Sequence, residues 1–94
     1  MDKLLIVFTM KGCPFCDMMK EKLVNENINF FERDIDEHKD EYDIFVEITE
    51  NEYVPSFMII EPNNDKPKSH LYAPERDYNE IDEGVEIIKE HFKK

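Results

Sequence analysis

Basic charge is what this 94-residue sequence lacks most: twelve lysines and arginines stand against 23 aspartates and glutamates, for a net charge of −11. Nucleic-acid affinity rests on clustered basic side chains that release counterions, so the balance argues against a phosphate-tracking role. It argues against docking on an anionic membrane surface on the same ground. A long apolar stretch is also missing: the longest run is Leu4–Phe8, against the roughly 20 residues of a membrane-spanning helix. The amino end, Met1-Asp2-Lys3, carries neither the apolar stretch nor the small-residue cleavage site of a signal peptide, so a cytoplasmic protein is expected. Repeats and low-complexity segments are absent. The two cysteines are too few for a disulfide-stapled scaffold, and their spacing becomes the informative feature.

Enough apolar material remains to fold. Hydrophobic residues make up 40% of the chain, with seven phenylalanines and four tyrosines, so the charge does not imply disorder. The length suits one domain over residues 1–94, expected as a monomer. Residues 3–9 form a near-continuous apolar, β-branched run, the pattern of a central strand covered on both faces. Gly12 and Pro14 break it. Phe15, Met18, Met19, Leu23 and Val24 then recur at helical spacing, predicting a helix over 14–26 with Pro14 in its first turn. Residues 28–34 read as a second strand, parallel to the first through a right-handed crossover. Asp36 suits the cap of a helix over 37–51, with Tyr42, Phe45, Val46 and Thr49 on its inner face and Pro55 ending it. Residues 56–61 make a third strand, residues 62–67 a turn cluster, and 68–73 an antiparallel fourth strand. Asp77 and Glu80 fit a capping box before a last helix that turns Ile81, Val85, Ile88 and Phe92 inward, with Gly84 its weak point. The expected architecture is an α/β sandwich with helices on both faces of a small mixed sheet.

Cys13-Pro14-Phe15-Cys16 falls where the first strand passes into the first helix. The first amides of a helix have no partner within it, and the helix dipole adds partial positive charge there. A thiolate at Cys13 is stabilised by both and is reactive at neutral pH. Cys16, one turn further in and more buried, is placed to attack the mixed disulfide that Cys13 forms. Half of a zinc site is the competing reading, but such a site takes four ligands and there is no third cysteine. His38, His70 and His91 are scattered along the sequence and read as solvated side chains, so no metal site is expected. Asp17 rather than histidine follows Cys16, which excludes c-type haem attachment.

The cysteine motif after a strand, with Val54-Pro55 before another strand, resembles the glutaredoxin family of the thioredoxin superfamily. The resemblance spans essentially the whole chain in size and element order. It implies a thioredoxin-like fold of four strands and three helices, a cis Pro55 facing the cysteines, and a Val54 backbone that pairs with the cysteinyl backbone of glutathione. The implied site comprises Cys13 as nucleophile, Cys16 as resolver, and Lys11, Pro14, Phe15, Tyr53, Val54, Pro55, Arg76 and Asp77 around glutathione. Lys11 is placed to bias the thiolate or meet a glutathione carboxylate. Asp77 is either a partner of the γ-glutamyl ammonium or a helix cap, and the amides of Arg76 and Asp77 are candidate carboxylate donors. Three positions depart from the family pattern. Met10 stands where many members have Lys, Tyr53 where Thr is common, and Pro74-Glu75-Arg76-Asp77 where a Gly-Gly turn is usual.

The function so implied is a glutathione-dependent thiol–disulfide oxidoreductase of the dithiol type, serving electron transport and cell redox homeostasis. Glutathione is the co-substrate, no cofactor is tightly bound, and disulfide-containing proteins, ribonucleotide reductase among the candidates, are the substrates. The alternative is a small thioredoxin-like electron donor fed by a flavoprotein reductase. Tyr53 and the altered Gly-Gly site favour that alternative; the short chain and the absence of tryptophan oppose it. An iron–sulfur carrier is a third reading, disfavoured by Pro14, and a binding module with idle cysteines a fourth. The acidic surface either selects a basic partner or serves solubility.

Overall fold

Four consecutive residues, Leu5, Ile6, Val7 and Phe8, are buried in β1 (Leu4–Thr9). Successive side chains of a strand point to opposite faces, so β1 must be covered on both. A computed structural model describes residues 3–62 and 65–92 and supplies the covering layers. After β1 come α1 (Pro14–Asn25), β2 (Phe31–Asp34), α2 (Lys39–Thr49), β3 (Ser56–Glu61), β4 (Lys68–Tyr72) and α3 (Ile81–Phe92). The sheet order is β2-β1-β3-β4. β1 and β2 run parallel, β3 lies antiparallel to β1 with Phe8 opposite Ser56, and β4 is antiparallel to β3. The expected mixed four-stranded sheet with three helices is therefore present.

Two cores fill the spaces. On one face Leu5, Val7, Phe57 and Ile59 pack against Met19 and Leu23 of α1 and Ile81, Val85 and Ile88 of α3. On the other, Ile6 and Phe8 meet Tyr42 and Phe45 of α2 together with Ala73. The Phe8 ring lies 5.4 Å from Tyr42 and 5.0 Å from Phe45, a tilted aromatic cluster beneath α2.

Several local expectations are corrected. Asp36 does not cap α2: His38 occupies the cap position, and the Asp36 amide donates to the Asp34 carboxylate in the preceding turn. α2 ends well before Pro55, with Glu50 in the left-handed region at φ 56°. Asp77 does not cap α3, which begins at Ile81; Glu83 reaches back to accept from the amides of Asn79 and Glu80. On α1 only Cys16, Met19 and Leu23 turn inward, whereas Phe15, Met18 and Val24 are exposed. β2 starts at Phe31, later than expected, and β4 stops at Tyr72. Within the expected turn cluster, Asn63 and Asn64 lie outside the described residues.

Candidate active site

The turn from β1 into α1 is made by Lys11 and Gly12, and Gly12 adopts φ +76°, a conformation that side chains rarely tolerate. It delivers Cys13 in extended conformation at the N-cap of α1, with Pro14 next. Cys13 and Cys16 are joined as a disulfide, their Cα atoms 5.2 Å apart. The amide of Cys16 donates to Cys13 Sγ at 3.1 Å, and that of Asp17 to the Cys13 carbonyl at 3.2 Å. A sulfur of Cys13 thus takes the place that a serine or aspartate side chain takes in ordinary capping. Cys13 is 8% exposed and Cys16 1%, so an incoming reagent meets Cys13 first.

The antiparallel register of β1 and β3 brings Pro55 to the same end of the sheet, since Ser56 lies opposite Phe8. The Val54–Pro55 peptide is cis. The Pro55 carbonyl accepts a hydrogen bond from the buried Tyr78 hydroxyl, and burial raises the Tyr78 pKa far above its ordinary value, so the phenol remains a donor. Asn51 ties two loops together: its amide nitrogen donates to the Pro74 carbonyl at 2.7 Å and its oxygen accepts from the Tyr53 amide at 2.9 Å. Between these loops and α1 lies a groove of about 310 Å³, lined on its apolar side by Phe15, Met18, Tyr53, Val54, Pro55 and Tyr78.

A family model described as Glutaredoxin matches residues 5–60, a stretch that holds both cysteines and the cis step. The chain belongs to the glutaredoxin family. It is accordingly a thiol–disulfide oxidoreductase with a redox-active cysteine pair, of a family that needs no tightly bound cofactor. A solved structure described as "Structure of a malarial protein" superposes with a TM-score of 0.52 at 14% identity, covering 97% of this chain and 98% of that one. That likeness bears on the fold. A search of curated protein sequences finds no match. Among the described residues, no helix is long and apolar enough to cross a membrane.

In this glutaredoxin the residues singled out from the sequence around the cysteines fall into three groups. Phe15, Tyr53, Val54 and Pro55 line the groove, Phe15 and Tyr53 at 60% and 58% exposure. Lys11 and Pro14 are exposed beside Cys13. Arg76 and Asp77 do not join the groove lining. Asp77 Oδ2 accepts from the Ala73 amide at 2.8 Å and from Arg76 at 3.0 Å, while the Asp77 amide donates to the Ala73 carbonyl. No helix begins there, and that amide is already engaged, so the expected anion-binding helix start is absent. Lys20 is tied to Glu32 at 2.9 Å, a pairing that raises the lysine pKa and lowers that of the glutamate.

Lys22 reaches the groove instead, paired with Asp82 at 2.7 Å, and Glu75 and Glu80 join the lining. Tyr78, Asn51 and Lys22 went unrecognised in the sequence. Lys22 had a signal in its helical spacing from Phe15 and Met18; the other two act through tertiary contacts. The histidines are not all solvated as expected: His70 and His91 are half-buried side by side, their tilted rings with centroids 4.9 Å apart.

Proposed function

We propose that this glutaredoxin is a dithiol enzyme in which Cys13 attacks and Cys16 resolves, with glutathione as the reductant. The observation that carries the assignment is the Cys16 amide aimed at Cys13 Sγ, at the unpaired end of α1, with Cys16 beneath the surface. In the reduced protein those amides stabilise the Cys13 thiolate. The thiolate attacks one sulfur of a substrate disulfide, forming a mixed disulfide and expelling the first thiolate. The Cys16 thiolate then attacks Cys13 Sγ and expels the second. The substrate gains two electrons and, in water, two protons, and the enzyme is left as the Cys13–Cys16 disulfide. Two glutathione molecules reverse that oxidation, leaving as one glutathione disulfide. Val54 makes no backbone hydrogen bond among the described residues outside the sheet, which supports pairing of its backbone with an incoming cysteinyl residue beside Phe15 and Tyr53.

A protein reductase in place of glutathione is favoured by one feature. The groove lining carries Glu75, Glu80 and Asp82 against the single base Lys22, an environment that repels an anionic tripeptide. Supplying the oxidised protein with either glutathione and its recycling system or a flavoprotein thioredoxin reductase separates the two. Turnover with glutathione alone is expected. Cys13→Ser abolishes it, and Cys16→Ser retains partial deglutathionylation while trapping protein substrates as mixed disulfides. Turnover with the flavoprotein alone overturns the glutathione assignment.

A further inference from the structure

The end of the sheet remote from the cysteines gathers three side chains from three elements. Glu61 closes β3, His70 lies in β4, and His91 is in the last turn of α3. We propose that Glu61, His70 and His91 bind one divalent transition-metal ion of the zinc class. The ligand atoms are Glu61 Oε1, His70 Nε2 and His91 Nδ1.

The distances are close to what such an ion requires. His70 Nε2 lies 3.7 Å and His91 Nδ1 3.8 Å from Glu61 Oε1, and the cluster's ligand atoms all fall within 4.8 Å of one another. Metal bonds of about 2.1 Å in a tetrahedron hold ligand atoms about 3.4 Å apart. Small side-chain rotations therefore close the site. His70 Nε2 is buried and has no hydrogen-bond partner among the described residues, a condition that native structures avoid unless something meets the atom. His91 Nε2 lies 2.7 Å from the Tyr72 hydroxyl. When Nε2–H donates to that oxygen, Nδ1 turns its lone pair toward Glu61, the arrangement by which an outer hydrogen bond orients a ligating imidazole. Two imidazoles and a carboxylate, with a position left for water, suit zinc and its neighbours better than magnesium or calcium. The three side chains keep 19–35% exposure, which gives the ion a way in.

Lys3 supplies the sharpest test. Its ammonium lies 3.4 Å from Glu61 Oε1 and donates to the His91 carbonyl. It competes with a metal ion for the same carboxylate without being a ligand. The full chain, kept as the Cys13–Cys16 disulfide so that no thiol is available, is titrated with Zn²⁺ by calorimetry and with Co²⁺ by visible absorbance. One ion per chain is expected, with cobalt bands of low coordination number. His70→Ala and His91→Ala weaken binding at least tenfold, with folding checked by circular dichroism. Tyr72→Phe weakens it by about tenfold, the usual scale for an outer-sphere partner. Lys3→Met, which leaves all three ligands in place, tightens it severalfold. No stoichiometric uptake overturns the proposal. So does binding that survives both histidine substitutions, the result expected of diffuse attraction to the acidic surface, or binding that Lys3→Met leaves unchanged or weaker. None of these outcomes depends on which reductant serves the cysteines.

Discussion

Tyr78 reaches the active site through a neighbour. Its hydroxyl holds the Pro55 carbonyl and its ring lies 5.8 Å from Phe57 in the core, so the loop that faces the substrate is fixed from beneath. Tyr78→Phe leaves that buried carbonyl without its donor. A cost of about 1–3 kcal/mol is expected, read as a lower Tm, together with a loss of turnover that falls on KM more than on the reactivity of Cys13 toward a small alkylating reagent. The pH dependence has a definite sign. The folded pKa of Tyr78 lies above the unfolded value of about 10, so its contribution to stability is intact below that pH and declines as pH rises beyond it. Tyr42 and Tyr72 are shifted in the same direction by burial. Denaturant unfolding between pH 9 and 11 should show a decline that is shallower in Tyr78→Phe.

At the scale of elements, α3 meets α1 where Gly84 has no side chain. A Cβ there would stand 3.0 Å from Met19 Cε and 3.0 Å from Tyr78 Cε2. Helix propensity alone predicts that Gly84→Ala stabilises by about 1 kcal/mol. Met19 is fully buried and the Tyr78 ring is pinned by its hydroxyl, so overpacking of about 1–3 kcal/mol prevails. Thermal unfolding is expected to show a lower Tm for Gly84→Ala and a larger fall for Gly84→Val; a rise in both would show that the helices part freely. Periodicity exposed the elements and hid this contact. β1 and β3 were legible because apolar runs between breakers have few other uses, and Cys13 was legible because Gly12 and Pro14 mark the start of α1. The beginnings of α2 and α3 were not, because the competing hydrogen bonds that the Asp34 and Glu83 carboxylates accept from backbone amides are set by turns that the pattern does not encode. The Glu61–His70–His91 cluster was invisible for a related reason: only the β3–β4 pairing and the docking of α3 bring those residues together.

For the molecule as a whole, the net charge of −11 acts on every encounter. Raising salt from about 20 mM to about 500 mM shortens the screening length from roughly 20 Å to roughly 4 Å. The KM for glutathione is expected to fall over that range as repulsion is screened, and the KM for a basic protein disulfide to rise. Initial rates at several ionic strengths check both, and parallel trends would show that the surface charge is without influence on partner choice. β1 gives the molecule two poles, with Lys3, Glu61 and the end of α3 at one and the sulfur pair at the other. A molecule tethered through the end of α3 therefore stands on its support with its reactive pole outward. A monolayer attached in that way on an electrode would present every disulfide to solution in the same orientation.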